Sequence, residues 1–183
     1  MTELRRAHAA DIPALESLIA CSGRALSVGY YTAGQAEAIT RHVFGVDTQL
    51  IADQTYFVIE SEREIVACGG WSKRHTLFGG DHAKTGPDPL LDPATEPARI
   101  RAFFVAPRMA RRGLGRQLME RCVSGAYAAG FRTLELVSTL PGESLYLASG
   151  FVVLQRFELA LPGDVRVPVA RMRRALEESP GAG

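Results

Sequence analysis

Residues 100–138 read IRAFFVAPRMARRGLGRQLMERCVSGAYAAGFRTLELVS, and their pattern changes twice along the stretch. The first six residues are mostly apolar and are followed by Pro107, which indicates a strand that ends there. Apolar residues then recur at helical spacing over 114–126, and Gly130 is typical of the position after a helix. Leu134–Ser138 is again typical of a strand. This order predicts a strand–loop–helix–strand unit whose two strands are parallel neighbours.

Further elements on both sides of this unit are predicted from the period of the apolar residues. They are a strand over 4–7, a helix that begins after Asp11, a helix over 33–43, a hairpin of strands 56–60 and 65–71, a short helix over 145–148, and two strands over 151–159 and 165–172. We expect an α/β domain over residues 1–176 with a mixed, mostly antiparallel sheet of about seven strands. A disordered tail is expected over 177–183.

Composition excludes several classes of protein. The chain has 183 residues, of which 46% are hydrophobic, and its net charge is +1, which is typical of one globular domain without a strong attraction to nucleic acid or membranes. Cys21, Cys68 and Cys122 share no CxxC spacing, which favours a reduced compartment over a disulfide scaffold or zinc site. Because the start of the chain also lacks an apolar leader, we expect a cytoplasmic protein.

The connection over 72–98 is rich in glycine and proline. It exceeds the ~12–15 residues at which a structureless connection becomes unusual. It is therefore expected to be functional or to be partly ordered by short turns.

The turn over 111–115, with sequence RRGLG, has the properties of a phosphate site. Glycines expose backbone N–H groups, and the helix that begins there adds the positive end of its dipole. Arg111, Arg112 and Arg116 add charge that suits a diphosphate. A plain glycine turn with solvated arginines is the alternative.

Two familiar phosphate loops fit this turn less well. A P-loop needs Gly-Lys-Ser/Thr, but Gly115 is followed by Arg116. A dinucleotide fingerprint is favoured by Glu135, which lies about twenty residues on, but Leu118 occupies the position of the third glycine.

Three runs together resemble the acetyl-CoA site of the GNAT superfamily of N-acetyltransferases. They are FVAP over 104–107, ARRGLG over 110–115 and LYLASGF over 145–151. The order of elements from Leu4 to Met172 is similar to that fold nearly end to end. The resemblance implies helices on both faces of the sheet and a splayed parallel strand pair at the acetyl-CoA site. Ala110 departs from the family pattern, which has Gln or Arg there, so one side-chain contact is absent.

The resemblance also implies roles for individual residues. The backbone of Phe103 and Val105 would pair with the pantetheine arm, and the amides of 111–116 would hold the pyrophosphate. Tyr146 would be the general acid that protonates the departing thiolate, with a core aromatic role as the alternative. The residues implied for acetyl-CoA binding are Phe103, Phe104, Val105, Arg111, Arg112, Gly113, Leu114, Gly115, Arg116 and Tyr146.

The function implied is direct acetyl transfer from acetyl-CoA, in a ternary complex, to the amine of a small-molecule or peptide acceptor. Glu96 is the first candidate for the base, and His75, His82 and Glu60 are alternatives, each with a surface role as the competing interpretation. No metal is expected, because His75, Asp81 and His82 match no ligand spacing. Arg171, Arg173 and Arg174 are interpreted as a solvated strand end.

A different class of function stays open, namely a non-catalytic module that binds acyl-CoA. The oligomeric state is open as well, a homodimer included. Acceptor specificity is expected over 33–50 and 72–98, since these segments flank the expected cleft.

Overall fold

The structure is a computed structural model that describes residues 1–177. These residues form one β-sheet with α-helices packed against it. The strands are β1 (Thr2–Arg6), β2 (Tyr56–Ser61), β3 (Glu64–Ser72), β4 (Ala98–Val105), β5 (Thr133–Thr139), β6 (Val152–Leu161) and β7 (Val165–Ala175). The helices are α1 (Ile12–Leu26), α2 (Ala33–His42), α3 (Thr48–Ala52), α4 (Leu114–Ala128) and α5 (Glu143–Ala148). The expected disordered tail lies, apart from Glu177, outside the described residues. Among residues 1–177, no helix combines the length and apolar composition needed to cross a membrane.

The sheet has the strand order β1-β2-β3-β4-β5-β7-β6. Only β4 and β5 are parallel, and every other neighbouring pair is antiparallel. The parallel pairing is limited to Ala98 with Leu134 and Arg99 with Glu135, after which the two strands diverge. The predicted mixed sheet and its splayed parallel pair are therefore confirmed.

Helices cover both faces of the sheet, as expected. On one face α4 buries Leu118 and Cys122, and its Gly125 lies against the Trp71 ring of β3. On the other face Phe104 of β4 packs edge-to-face on Phe44, with ring centroids 4.9 Å apart. Side chains of successive strand residues alternate between faces, so a single sheet supplies two apolar layers.

Helix α3 was not predicted. It has five residues and one buried side chain, Leu50. So short a helix shows no periodic spacing of apolar residues in the sequence. Asp47 begins it, since its carboxylate accepts a hydrogen bond from the Gln49 N–H at 3.0 Å.

The glycine- and proline-rich connection is ordered by short turns and ion pairs. Arg74 donates to the Asp53 carboxylate at 2.7 Å, and Lys84 lies 2.6 Å from the Asp47 carboxylate. A 3-10 turn spans Asp81–Ala83. These contacts attach the connection to α3 and position it beside the diverging strands.

Candidate active site

Two cavities meet where β4 and β5 diverge. The α2 cavity has an empty volume of about 700 Å³ and is walled by α2, the connection over 77–80, and the sheet. The α1 cavity has about 640 Å³ and is walled by the end of α1, β4 and α5. The residues that line both cavities are Phe44, Phe103, Phe104, Thr139 and Tyr146.

Most side chains that line the α2 cavity are apolar, although polar and apolar atoms contribute about equally to its surface. Its aliphatic and aromatic lining includes Ile39, Val43, Leu77, Phe78, Val137 and Val169. Arg101 also lines it, but this guanidinium is buried and already donates to the Asp47 carboxylate at 2.9 Å and to the Thr76 carbonyl at 3.1 Å. Among the described residues, no Asp, Glu or His lines this cavity. The two segments in which acceptor specificity was expected both contribute to its wall.

Tyr146 is held at the junction of the cavities by two aromatic contacts. Its ring packs edge-to-face on Phe103 and Phe151, with centroid distances of 6.2 and 5.9 Å. Burial, with Cys122 as a smaller cause, raises the pKa of Tyr146 above its usual value. Its hydroxyl has no hydrogen-bond partner in the described part of the chain. The phenol therefore stays protonated at neutral pH and is free to donate.

The turn before α4 presents unbonded backbone donors. Arg111 and Gly113 both have left-handed φ values, of 65° and 81°, and these two residues redirect the chain into the helix. Within residues 1–177, no acceptor bonds the N–H groups of 112–116. A Cβ added at Gly113 would meet nothing within 4 Å, so the space in front of the turn is open. The turn thus fits a phosphate group.

Among residues 1–177, one edge of β4 has no strand partner beyond Arg99. The N–H of Ala106 donates to the Val66 carbonyl of β3 at 2.8 Å. Because successive residues of a strand direct their backbone groups to opposite edges, those of Val105 and Phe103 face the open edge toward β5. This edge can accept an extended ligand as an added strand.

Glu96 lies away from these features. Its carboxylate accepts a hydrogen bond from the Asp92 N–H at 2.8 Å and lies 3.7 Å from the His75 ring. It precedes the paired end of β4, whereas Tyr146 lies at the diverging end. Glu96, His75, His82 and Glu60 line neither cavity. A role for Glu96 as the base therefore stays a prediction that its position does not support.

The interpretation of Arg171 and Arg173 as a solvated strand end is incomplete, because their side chains are 41% and 44% exposed but also form ion pairs. Both donate to Glu135, whose side chain is 0% exposed, with shortest distances of 2.6 and 2.7 Å. Burial would raise the pKa of Glu135, but the hydrogen bonds from Arg173 and Arg171 outweigh it and hold the pKa below its usual range. These residues lie far apart in sequence, and only the register of β5 with β7 brings them together.

The sequence and the fold were compared with those of known proteins. The family model for the acetyltransferase (GNAT) domain matches residues 52–153. No curated protein sequence gives a significant match.

Several solved structures share the fold. A GCN5-related N-acetyltransferase from Rhodopseudomonas palustris is 16% identical, with a TM-score of 0.69 over 96% of each chain. The PaiA N-acetyltransferase from Thermoplasma acidophilum, solved in complex with coenzyme A, is 12% identical, with a TM-score of 0.63 over 96% of this chain and 99% of that one. The ribosomal-protein-S18-alanine N-acetyltransferase from Escherichia coli is 17% identical, with a TM-score of 0.59 over 100% and 98%. With the family model covering more than half of its length, the chain belongs to the GNAT family of acetyltransferases and is an acyltransferase.

Proposed function

We propose that the protein transfers an acetyl group from acetyl-CoA to the amine of a small-molecule or peptide acceptor, directly and in a ternary complex. The observation that carries this proposal is the position of Tyr146, which lines both cavities at the point where the strands diverge. When two molecules bind in separate cavities and react, a proton donor for the reaction must be reachable from both, and the Tyr146 hydroxyl is placed for this role.

The α1 cavity and the turn before α4 suit the acetyl-CoA side. The N–H groups of 112–116 would hold the pyrophosphate, with Arg111, Arg112 and Arg116 supplying exposed positive charge. The open edge of β4 would pair with the pantetheine arm through backbone groups of Phe103 and Val105, and Phe104 lines the same cavity. PaiA, a structural relative, has coenzyme A in its complex, which supports the same co-substrate here. When bound, acetyl-CoA supplies an acetyl group activated as a thioester.

The α2 cavity suits the acceptor. The apolar side chains in its wall favour the neutral amine over the ammonium, because burial in a low dielectric lowers the pKa of an amine. Desolvation therefore contributes to deprotonation where no acidic or histidine side chain lines the cavity.

The transfer forms one bond and breaks another. The amine nitrogen bonds to the acetyl carbonyl carbon, and the backbone N–H of Val105 would stabilise the oxyanion that results. As the carbon–sulfur bond breaks, Tyr146 donates its phenolic proton to the sulfur and regains a proton from the acylated nitrogen. The phenol keeps its proton before this step because burial raises its pKa.

Substitution of Tyr146 by Phe tests the proposal. The variant keeps the ring that packs on Phe103 and Phe151 but loses the hydroxyl. We expect kcat with a panel of primary amines to fall by ~100-fold or more, while the Kd for acetyl-CoA measured by calorimetry stays unchanged. Tyr30→Phe, at a side chain that is 55% exposed, is the matched control.

Two outcomes would contradict the proposal. If Tyr146→Phe retains the wild-type kcat, Tyr146 is a core aromatic residue and not the acid. If folded wild-type protein binds acetyl-CoA but acetylates no amine of the panel, the result favours a non-catalytic module that binds acyl-CoA.

A further inference from the structure

Three arginines surround the buried carboxylate of Glu135 near the α2 cavity. We call Arg99, Arg171, Arg173 and Glu135 together the arginine cluster. Glu135 accepts from Arg171 Nη2 at 2.6 Å, from Arg173 Nη2 at 2.7 Å and from Arg99 Nη1 at 3.3 Å. Glu96 adds a second carboxylate that acts on Arg99. The positive charge of the cluster therefore exceeds its negative charge.

The cluster has donors left over after Glu135 is satisfied. The side chains of Arg171 and Arg173 are 41% and 44% exposed. Their Nη1 groups have no hydrogen-bond acceptor among residues 1–177. The Nε of Arg99 is buried and lacks a partner as well. The exposed Nη1 groups of Arg171 and Arg173 are accessible to a ligand, and a carboxylate would accept charge-assisted hydrogen bonds from them.

The cluster lies on the sheet face that forms the floor of the α2 cavity, next to the residues that line it. Arg171 is the cross-strand neighbour of Val137, which lines the cavity, and directly paired residues share one face of a sheet. Arg173 pairs with Glu135, which lies two residues farther from the cavity along β5. Arg171 is thus the member of the cluster on β7 that lies nearest to a ligand in the cavity.

The strand geometry also sets a minimum distance between the reacting amine and Arg171. Thr139 lies at the junction beside Tyr146, and Val137 is two residues back along β5. Two residues of a strand span about 7 Å, so a group at Arg171 lies at least that far from the reacting amine. The carboxylate of an α-amino acid is too close to its own amine to reach Arg171.

We propose that the acceptor carries a carboxylate several bonds from its amine, and that Arg171 binds this carboxylate. This inference rests on the proposed function and names the acceptor class for the same site. The planar guanidinium suits a carboxylate because two parallel N–H groups match its two oxygens. The apolar wall between Tyr146 and Arg171 suits the methylene chain that separates the two ends of the acceptor.

A length series of acceptors tests the inference. The probes are the ω-amino carboxylates from glycine to 8-aminooctanoate, each compared with the unbranched alkylamine of the same length. We expect kcat/KM to be highest near 6-aminohexanoate, and there to exceed that of the matched alkylamine by ~10-fold or more. Arg171→Gln should lower kcat/KM for the carboxylates by ~10- to 100-fold and leave the alkylamines unchanged.

Two control variants separate binding from structure. Arg173→Gln loses the same kind of contact with Glu135, but Arg173 lies two residues farther from the α2 cavity along β7. Its effect on kcat/KM for the carboxylates should therefore be several-fold smaller. Arg166→Gln alters an exposed arginine on the other face of β7 and should change nothing. If Arg171→Gln does not fold, Arg171→Lys keeps the charge and should lose only part of the preference for carboxylates.

The outcomes also distinguish this inference from the proposed function. Equal kcat/KM for ω-amino carboxylates and alkylamines would overturn the inference and leave the acetyltransferase proposal intact. If no amine is acetylated, calorimetry with 6-aminohexanoate and the CoA-saturated protein still tests whether the carboxylate site exists. Binding that Arg171→Gln abolishes would support the carboxylate site although the proposed function has failed, and absence of binding would overturn the inference.

Discussion

At the scale of single residues, Glu135 is a buried ionisable group that lies within the sheet. Its carboxylate is fully buried and is compensated by three guanidinium groups. Removing one partner of a buried ion pair costs about 3–5 kcal/mol, since the remaining charge is left uncompensated. Exposed pairs such as Arg116 with Glu120 contribute about 0–1 kcal/mol.

Glu135→Gln should therefore destabilise the protein by about 3 kcal/mol, measured by urea unfolding at pH 7. The pKa of Glu135 is lower in the folded state, so its contribution is complete above the usual glutamate pKa of about 4.3 and is lost as the pH falls through the folded value. The variant should accordingly lose less stability than the wild type on acidification below that pH. Glu120→Gln is the control, and an equal loss of stability in both variants would contradict the prediction.

At the scale of elements, the divergence of β4 from β5 follows from packing within β3 and β4. The register between these strands shifts between Cys68 and Gly70, where Ala102 adopts a left-handed φ of 53°. A Cβ on Gly69 would lie 2.6 Å from the Phe103 ring, so glycine is needed there to admit the ring. The bulge directs β4 away from β5 and opens the space that the two cavities share.

The start of α4 is the element that should bind the pyrophosphate, and Gly113 tests it. Asp and Asn are isosteric and both tolerate the left-handed conformation, so Gly113→Asp and Gly113→Asn differ mainly in charge. We expect Gly113→Asp to weaken acetyl-CoA binding by ~10-fold or more relative to Gly113→Asn, because a carboxylate at the helix N-terminus repels the diphosphate. Calorimetry at low ionic strength measures the difference. Equal Kd values for the two variants would place the diphosphate elsewhere.

At the scale of the whole molecule, the sheet has two parts, β1-β2-β3-β4 and β5-β7-β6, and two residue pairs between β4 and β5 connect them directly. The apolar core nevertheless runs through both parts in one cluster, from Trp71 on β3 through Leu118 on α4 to Met172 on β7. Trp71 itself packs edge-to-face on Phe131, with ring centroids 6.1 Å apart. Side-chain packing, more than backbone pairing, therefore joins the two parts.

A shared core predicts one cooperative unfolding transition. Trp71 is the single tryptophan, so its fluorescence reports on β3 while far-UV circular dichroism reports on the whole chain. The two urea unfolding curves should coincide, and saturating acetyl-CoA should shift both to higher urea together. A fluorescence transition that precedes the loss of circular dichroism would show that the two parts unfold separately.

Local signals in the chain were sufficient for the seven strands, for α1, α2, α4 and α5, and for the turn before α4. Apolar period, proline and glycine act over a few residues, so elements such as α4 are visible without any tertiary information. The same holds for Tyr146, which the family resemblance singled out and which lies between the two cavities. Helix α3 was missed because five residues with one buried side chain carry no period.

Contacts between distant residues were decided only by the tertiary structure. Glu135 and Arg171 are 36 residues apart, and no local pattern indicates that β5 and β7 place them side by side. The position of Glu96 at the paired end of β4, away from Tyr146, likewise depends on strand register. Register is set by packing over the whole sheet, because a shift of one residue reverses the face of every side chain. The elements could thus be predicted from local chemistry, whereas the floor of the candidate active site follows from how those elements pack.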